Sequence, residues 1–270
     1  MGEADAAVVS MDRRSSLTRA DDAKRDTVSV SELMRSLTDK ATGFVGWLRR
    51  GRRIKLRSDG CVKVNLGAGL DVAAGWLNID GSLNALMAAA PVWLHPLAYR
   101  LSGARQFYAE EAYCEILRDN TFLHHNLIYG IPLPDQSVHF VYSSHLLEHL
   151  DRSTGRQLLE ECWRILRPGG VARFGVPDLE VAWELYVHGD KERMLHDFFF
   201  VTGATGLSQH RYAYDFELLS RALLEAGFVD VHRVHFGEGA VPDLESLDNR
   251  QDYTLFVEAR RPLLQEVLAR

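Results

Sequence analysis

The sequence predicts an α/β protein with a doubly wound sheet that follows an N-terminal helical extension. From Lys63 onward, apolar strand-like runs alternate with amphipathic helical runs, which is typical of a parallel sheet covered on both faces. The small-residue turn Gly67-Ala68-Gly69 directly follows the first of these strands, at the edge where such sheets bind ligands. The predicted strands are Cys61–Leu66, Trp76–Asp80, Thr121–Asn126, His139–Ser143, Val171–Val176, Phe228–Phe236 and Tyr253–Ala259.

Two of the intervening helices have clear ends. Thr154–Leu166 has an apolar stripe and is followed by Arg167-Pro168-Gly169-Gly170, where proline and glycine should stop the helix. A later helix, Asp215–Ala226, begins at a natural cap and is closed by Gly227. Helices of this kind would cover the sheet.

Length and charge limit the function classes. A chain of 270 residues favours one catalytic domain plus extensions over two equal domains. Residues 1–57 hold 13 Lys and Arg against 8 Asp and Glu, whereas the remainder holds 18 against 29. A basic head therefore precedes an acidic body, and such a body does not attract a phosphate backbone. Nucleic acid is not the expected substrate.

Cysteine spacing and hydropathy indicate an intracellular setting. Cys61, Cys114 and Cys162 are odd in number and contain no Cys-x-x-Cys pair, so we expect reduced thiols. No charge-free apolar run approaches the roughly 20 residues of a membrane span, and the polar N-terminus does not resemble a signal peptide. We expect a cytoplasmic protein.

The N-terminal extension allows two interpretations. Residues 1–28 are polar and predict a disordered tail, and residues 29–57 predict a helix followed by a basic run. The helix would either dock on the domain or bind an anionic membrane surface, since an apolar stripe with a basic end suits both roles. We place the catalytic domain at residues 58–262 and a C-terminal tail at 263–270. The apolar stripe comprises Val30, Leu33, Met34, Leu37, Ala41, Phe44, Val45 and Leu48, and the basic run comprises Arg49, Arg50, Arg52, Arg53, Lys55 and Arg57.

The glycine turn and the second strand together indicate a nucleoside-bearing cofactor. The dinucleotide fingerprint needs a third glycine where this chain has Val72, which disfavours a nicotinamide cofactor. The second strand ends in Asp80, whose carboxylate can accept hydrogen bonds from both hydroxyls of a ribose. The alternative is that Asp80 merely begins the turn Asp80-Gly81-Ser82.

Three segments resemble the type 11 group of class I S-adenosylmethionine-dependent methyltransferases. They are Val64–Gly69 with Asp80, the run Leu133–Leu150, and Leu166–Gly170, and the resemblance covers Cys61–Ala259. It implies a seven-stranded, Rossmann-like sheet whose last strand is antiparallel, with S-adenosylmethionine as cofactor. The implied cofactor-binding residues are Leu66, Gly67, Ala68 and Gly69 for the methionine part and ribose, Asp80 for the ribose hydroxyls, Asn126 and Leu127 for adenine, and Ser143.

The chain departs from the family pattern at two places near this site. Asn126 stands where relatives often have Asp, although its amide oxygen can still accept a hydrogen bond from the adenine amino group. The connection from Gly69 to Asp80 is short, so the helix found there in many relatives is expected to be reduced to a turn.

The chemistry of methyl transfer needs alignment of the nucleophile, and a hydroxyl acceptor would also benefit from a general base. His145 and His210 are the predicted catalytic residues, because His145 follows the fourth strand and His210 lies in a polar, aromatic loop ahead of a helix. His149 is more simply explained as a half-buried histidine bonded to backbone carbonyls. Spacing suggests no third ligand beside His145 and His149, so no metal site is predicted.

The predicted function is O-methylation of a small molecule or of a sugar or glycan hydroxyl. The alternative is a non-catalytic binding or scaffold subunit that keeps the methyltransferase fold. Segments Leu83–Leu101 and Val181–Gly206 are expected to build the acceptor pocket, but neither carries a motif that names the acceptor. The identity of the acceptor and the oligomeric state stay open at this level.

Overall fold

A computed structural model describes residues 30–56, 60–199 and 209–268 of the chain. The predicted disordered tail, residues 1–28, and positions 200–206 of the predicted acceptor segment lie outside the described residues. The described strands are β1 (Lys63–Leu66), β2 (Leu77–Asp80), β3 (Thr121–His124), β4 (Val138–Ser144), β5 (Leu166–Pro177), β6 (Val229–Val234) and β7 (Thr254–Arg260).

These strands form one seven-stranded sheet in the order β3-β2-β1-β4-β5-β7-β6. The first five strands in the chain are parallel, and β7 pairs antiparallel with both β5 and β6. The predicted doubly wound sheet with an antiparallel last strand is therefore confirmed. The strand order reverses between β1 and β4, and this reversal opens a crevice at the carboxyl ends of the strands.

The predicted strands all occur, and the main difference lies in β5. The predicted stop Arg167–Gly170 does end the preceding helix, but these residues already belong to the edge of the sheet. Val138 pairs with Leu166 and Phe140 pairs with Val171, so four residues of β5 bulge between two adjacent pairs. Gly169 has φ +81°, and a Cβ on Gly170 would lie 2.9 Å from the carbonyl oxygen of Arg167. Glycine permits this bulge because it carries no Cβ.

The helices cover both faces of the sheet. They are α1 (Val30–Leu48), α2 (Leu83–Ala88), α3 (His95–Ser102), α4 (Glu110–Asp119), α5 (Arg152–Ile165), α6 (Leu179–Val187), α7 (Lys191–Met194), α8 (Phe216–Glu225), α9 (Leu244–Leu247) and α10 (Leu264–Leu268). Asp215 caps α8 as predicted, since its carboxylate accepts a hydrogen bond from the N–H of Leu218 at 2.8 Å. Asp151 caps α5 in the same way through the N–H groups of Ser153 and Thr154. Residues 70–76 form turns with no helix, as the short connection predicts.

The hydrophobic core lies between the sheet and the helices α5 and α8. Because helices pack on both faces, the central strands are buried along nearly their whole length, and Val64, Leu66 and Ile79 have no exposed surface. Leu159 of α5 and Leu219 of α8 are equally buried against them. A packed core of this kind fixes the strand ends, and the strand ends carry the site.

Helix α1 docks on the domain beside α2 and α3. This observation supports the docked interpretation of the extension. In the ranges 30–56, 60–199 and 209–268, no helix combines the length and apolar character that a membrane span requires. The short helix α10 occupies part of the predicted C-terminal tail and is tied down by ion pairs between Arg260 and Glu266.

Candidate functional site

A cavity of about 360 Å³ opens at the carboxyl ends of β1, β2 and β4, where the strand order reverses. This volume lies within the range of about 300–1,000 Å³ usual for small-molecule sites. Its lining residues come from the glycine turn, the end of β2, the loops after β3 and β4, and helices α1, α2 and α3. They are Thr38, Thr42, Gly43, Gly67, Asp80, Gly81, Ser82, Leu83, Asn84, Leu101, Ser102, Asn126, Leu127, Ile128, His145, Leu146, His149 and Leu150.

The glycine turn brings backbone close to the cavity. Gly67 has φ +68°, and a Cβ placed on it would lie 3.0 Å from three side-chain carbons of Leu146. Gly69 has φ +53°, and its N–H donates a hydrogen bond to Oδ2 of Asp80 at 3.0 Å. Both positions therefore require glycine, one for space and conformation and the other for conformation alone.

Asp80 is the charged group of the cavity wall. Its side chain is buried, and Oδ1 accepts a hydrogen bond from the N–H of Ser82 at 2.6 Å. Together with the bond from Gly69, each carboxylate oxygen has one backbone donor, which leaves a second lone pair on each oxygen. The carboxylate is thus fixed in orientation and keeps the capacity to accept two hydroxyl groups.

Asn126 and Leu127 lie at the far end of the cavity, after β3. Oδ1 of Asn126 accepts a hydrogen bond from the N–H of Ile128 at 3.1 Å, which fixes the side chain at the start of a short 3₁₀ turn. Leu127 is buried in the core, and its exposed neighbour Ile128 lines the cavity. This end of the cavity combines a fixed amide with apolar surface, as a flat heterocycle would require.

Helix α1 forms part of the cavity wall, which the sequence patterns did not reveal. Thr38, Thr42 and Gly43 line the cavity, and a Cβ on Gly46 would lie 3.0 Å from Cβ of Asn126. Small residues at one face of the helix let it approach this closely. The only trace in the sequence is that Thr38, Thr42, Gly43 and Gly46 recur at helical spacing opposite the apolar stripe.

Several buried polar atoms at this edge have no partner among the described residues. Oγ of Ser82, Oγ of Ser143 and Oε2 of Glu148 are all buried without a hydrogen bond there. Unsatisfied buried polar atoms are costly, by roughly 1–3 kcal/mol each, so their concentration near one cavity favours a bound polar ligand. Ser82 lies directly on the cavity.

His145 lines the cavity but both of its ring nitrogens are engaged. Nδ1 lies 3.1 Å from Oε1 of Glu148, and Nε2 lies 3.0 Å from Oγ1 of Thr254. The hydroxyl of Thr254 donates in turn to the carbonyl of Arg250. This pattern suits a ring that donates from both nitrogens, and it leaves no lone pair for a general base. The arrangement differs from the base role expected of His145, and its φ of +52° indicates backbone strain at this position.

His149 and His210 form a pair beside this cavity. Their ring centroids lie 5.0 Å apart, although 61 positions separate them in the sequence. Nδ1 of His149 lies 3.3 Å from the carbonyl oxygen of Gln209, and Nδ1 of His210 lies 2.7 Å from that of Phe198. Because a carbonyl only accepts, each Nδ1 carries the proton and each Nε2 carries a lone pair in the neutral ring. The carbonyl bond predicted for His149 is present, and it leaves Nε2 without a proton in the neutral ring.

Glu148 connects these histidines. Burial alone raises the pKa of its carboxyl group, but the hydrogen bond and charge of His145 and the charge of His149 outweigh burial and hold that pKa below its usual range. Burial lowers the pKa of His149, although the charge of Glu148 and the carbonyl of Gln209 oppose the shift. Glu148 is therefore ionised and His149 neutral near pH 7. The backbone carbonyl of Glu148 accepts hydrogen bonds from the N–H groups of Arg211 and Tyr212, and these bonds hold the loop that carries His210.

The cluster also has the composition of a metal site. One ligand atom each from Glu148, His149 and His210 lies within 4.8 Å of the others. The sequence spacing did not suggest it because His210 arrives from a distant loop. Nε2 of either histidine has a lone pair that serves a proton or a metal ion equally well.

The predicted site residues divide into those on the cavity and those behind it. Gly67, Asp80, Asn126, Leu127 and His145 line the cavity, whereas Leu66, Ala68 and Ser143 are buried behind the wall. Gly69 reaches the cavity through its bond to Asp80. His210 lines a smaller neighbouring cavity of about 110 Å³, together with Pro177, Phe198, Phe199 and Tyr212. His149 also lines the larger cavity, and its ring contacts that of His210.

Comparison with known proteins names the domain. A family model described as a methyltransferase domain matches residues 70–174, from the cavity turn to the middle of β5. The chain contains an S-adenosylmethionine-dependent methyltransferase domain. The predicted family, enzyme class and cofactor are thereby confirmed. No curated protein matches the chain.

Several solved structures are similar to the chain at low sequence identity. A possible histamine N-methyltransferase from Thermotoga maritima is 15% identical, with a TM-score of 0.43 over 86% of this chain and 91% of that chain. A methyltransferase from Archaeoglobus fulgidus is 15% identical, with a TM-score of 0.42 over 84% and 94%. A possible exported protein from Bordetella parapertussis is 16% identical, with a TM-score of 0.45 over 83% and 67%.

Proposed function

We propose that this methyltransferase transfers the methyl group of S-adenosylmethionine to a hydroxyl of a small molecule or of a sugar or glycan. The observation that carries the proposal is the His149–His210 pair, whose Nδ1 atoms are both held by backbone carbonyls. That arrangement leaves an unprotonated Nε2 on each ring. The pair marks the junction of the two cavities, because His149 lines the larger one, His210 lines the smaller one, and their ring centroids lie 5.0 Å apart. A hydroxyl must lose its proton during methylation, and an imidazole lone pair at this junction can accept it.

The residues of the larger cavity fit the cofactor. Asp80 has two free lone pairs for the ribose hydroxyls, and the unpartnered Oγ of Ser82 supplies a further polar contact. Gly67 and Gly69 would lie along the methionine part, with Leu66 and Ala68 supporting the turn from behind, and Asn126 and Leu127 would meet the adenine. Ser143, at the end of β4, would support the wall beside the sulfonium. The bound cofactor supplies an electrophilic methyl group on a positively charged sulfur.

The protein aligns the acceptor and takes its proton. The acceptor oxygen forms a bond to the methyl carbon while the carbon–sulfur bond breaks, and the electron pair of that bond stays on the sulfur of S-adenosylhomocysteine. His149 accepts the hydroxyl proton at Nε2, which lies 4.0 Å from the ionised Glu148, so the imidazolium that forms has a nearby countercharge. His210 orients the acceptor from the smaller cavity. Solvent then removes the proton.

His145 acts as a positioning residue in this scheme. Its two bonds hold Glu148 on one side and Thr254 of β7 on the other. Glu148 is thereby fixed beside His149. Loss of His145 should therefore reduce turnover through the carboxylate, and not through a missing base.

The smaller cavity suits a ring with hydroxyl groups. Phe198, Phe199 and Tyr212 provide aromatic surface, and His210 provides the polar group. Aromatic surface packs against the C–H faces of a sugar, whereas a few placed polar groups select its hydroxyls. The segment Val181–Gly206, predicted to build the acceptor pocket, contributes both phenylalanines.

The test is an acceptor screen with radiolabelled S-adenosylmethionine. Purified full-length protein is incubated with pooled glycans, glycosides and small alcohols or phenols, and also with amines of the same ring systems. The proposal expects label transfer to a hydroxyl compound, with an ether in the isolated product. Transfer to amines only would overturn it, since the base would then be unnecessary for a free amine.

A metal-removal arm separates the two uses of the histidine cluster. The proposal expects turnover to be the same after dialysis against EDTA. Loss of turnover that a divalent cation restores would show that Glu148, His149 and His210 hold a metal ion, and it would overturn the proton-transfer role.

A further inference from the structure

Helix α1 docks on the domain through its small and polar residues. Thr42 is 3% exposed, Gly46 packs against Asn126, and Thr38 and Gly43 line the cofactor cavity. Between Thr38 and Leu48 the buried positions of the helix are Thr42 and Gly46, and Val45 is only half-buried. This arrangement is unusual, because a helix on a protein surface normally buries its apolar face.

Three large apolar side chains near the end of α1, Phe44, Trp47 and Leu48, are exposed and form the α1 stripe. Phe44 is 61% exposed, Trp47 is 45% exposed and Leu48 is 60% exposed. Phe44 and Trp47 stack on each other, with ring centroids 5.9 Å apart and an interplanar angle of 21°. The sequence predicted either docking or membrane binding for this helix, and in the docked helix Phe44, Trp47 and Leu48 stay exposed among the described residues.

A second exposed stripe lies on α3 and the turn before it. Trp93, Leu97 and Leu101 recur every fourth residue and are 75%, 50% and 39% exposed. Leu101 lines the same cavity as Gly43 of α1, and the two helices are in contact. Both stripes therefore lie on helices that form the wall of the cofactor cavity. Large exposed apolar areas of this kind mark an interaction surface.

The charge around the two stripes indicates which kind of partner surface they fit. Residues 40–57 contain seven Lys and Arg and no Asp or Glu, and residues 81–109 contain Arg100 and Arg105, again without an acidic residue. The rest of the chain from residue 58 is strongly acidic. Basic residues are therefore concentrated in the two segments that carry the exposed apolar stripes.

We propose that the stripes of α1 and α3, with their adjoining arginines, dock on an anionic lipid bilayer. Tryptophan side chains favour the interface between headgroups and acyl chains, and apolar residues beside them enter its outer few ångströms. The arginines then lie at the height of the anionic headgroups. Docking of this kind places the rim of the cofactor cavity at the membrane surface.

The test is flotation of the full-length protein with vesicles. Vesicles of phosphatidylcholine alone are compared with vesicles that contain 30 mol% phosphatidylglycerol, in low and moderate salt. The proposal expects flotation with the anionic vesicles, loss of flotation at higher salt, and little flotation with phosphatidylcholine alone. Absence of flotation with both compositions overturns it.

The chain contains a second exposed aromatic pair that serves as a matched control for Phe44 and Trp47. Trp183 and Tyr186 on α6 form a second exposed, stacked pair at the same spacing, with centroids 5.7 Å apart and an interplanar angle of 19°, but beside acidic residues. The double variant Phe44→Ser/Trp47→Ser should bind anionic vesicles at least about tenfold more weakly. The double variant Trp183→Ser/Tyr186→Ser should bind like the unaltered protein. Equal loss in both variants contradicts the proposal.

Charge variants give an independent measure. Arg50→Gln and Arg52→Gln should each weaken binding about fivefold, which corresponds to the usual contribution of one basic residue near anionic lipid. A concentration-dependent dimer in light scattering that Phe44→Ser/Trp47→Ser abolishes would show that a second copy covers the stripes, and it would overturn the proposal. Vesicle binding needs neither cofactor nor acceptor, so its failure leaves the proposed transfer reaction untouched.

Discussion

Two buried polar clusters of this protein differ in how completely their atoms are paired. Arg173 on β5 is fully buried, and all five of its N–H donors are used by Asp248, Glu258 and the carbonyls of His235 and Glu238. Glu148 is equally buried, yet its Oε2 has no partner among the described residues.

This difference in pairing indicates a structural role for Arg173 and a functional role for Glu148. A complete set of partners around a buried charge satisfies the fold and leaves nothing to offer a ligand. An incomplete set is costly, and here it lies at the carboxyl ends of the strands beside two cavities. We therefore expect changes around Arg173 to act on stability and changes around Glu148 to act on turnover.

The largest expected effect is on stability. Arg173→Met should lower the free energy of unfolding by roughly 3–5 kcal/mol, because Asp248 and Glu258 would stay buried without their countercharge. Urea denaturation followed by circular dichroism measures this loss. Arg173→Lys keeps the charge with fewer donors and should lose less. Arg233→Met removes an exposed ion pair with Glu180 and should cost less than about 1 kcal/mol. Equal losses in Arg173→Met and Arg233→Met would contradict the comparison.

The next effect is on turnover. His149→Ala should reduce kcat about 100-fold, the lower end of what a general base contributes, while the Kd for the cofactor changes less than threefold. Steady-state kinetics with an acceptor identified in the screen and calorimetry with S-adenosylhomocysteine measure the two quantities. His232→Ala, on an exposed histidine of β6, is the control. A His149→Ala protein with unchanged kcat would rule out the base.

The dependence of kcat/KM on pH tests the same base role of His149. Since His149 acts in its neutral form and burial lowers its pKa, kcat/KM should be constant around pH 7 and fall only below the ordinary histidine value of about 6.5. Glu148→Gln removes the charge that raises this pKa, so the fall should move to still lower pH. Initial rates between pH 5 and 8 test this. A fall that begins above pH 7, or that moves to higher pH in Glu148→Gln, would contradict it.

The smallest effect concerns the packing of α1 on the cavity. Gly46→Ala places a methyl group 3.0 Å from Asn126, so we expect the helix to shift and cofactor affinity to fall about three- to tenfold. Gly51→Ala adds the same methyl group just past the helix, where no atom lies within 4 Å, and should leave affinity unchanged. Titration calorimetry with S-adenosylhomocysteine measures the cofactor affinity of both variants. Unchanged affinity in Gly46→Ala would mean that α1 is not part of the cofactor site.

The sequence predicted the fold well because the fold follows from local periodicity. Strand-helix alternation and the turn Gly67-Ala68-Gly69 placed the sheet, and Asp80 was placed on the cavity by its position at the end of β2. The other features of the site could not be predicted, because they depend on contacts between distant parts of the chain. His149 and His210 are brought together by a loop, and α1 joins the wall through residues too small to register in a hydrophobic pattern.

His145 shows most clearly what the sequence could not predict. Its place after β4 was predicted, but its role depends on Glu148 and on Thr254, which lies 109 residues later. No spacing rule links the two positions. The ring was predicted to act as a base, but both of its nitrogens are engaged, and we propose His149 for that role instead.

The most direct test of the account is titration calorimetry of the folded full-length protein with S-adenosylhomocysteine. We expect saturable 1:1 binding, and we expect Asp80→Ala to weaken it about 100-fold through the lost hydrogen bonds to a charged acceptor. Asp119→Ala, which removes an exposed carboxylate at the end of α4, should bind like the unaltered protein. If the unaltered protein gives no binding heat with either S-adenosylhomocysteine or S-adenosylmethionine, the assignment of the cavity is contradicted.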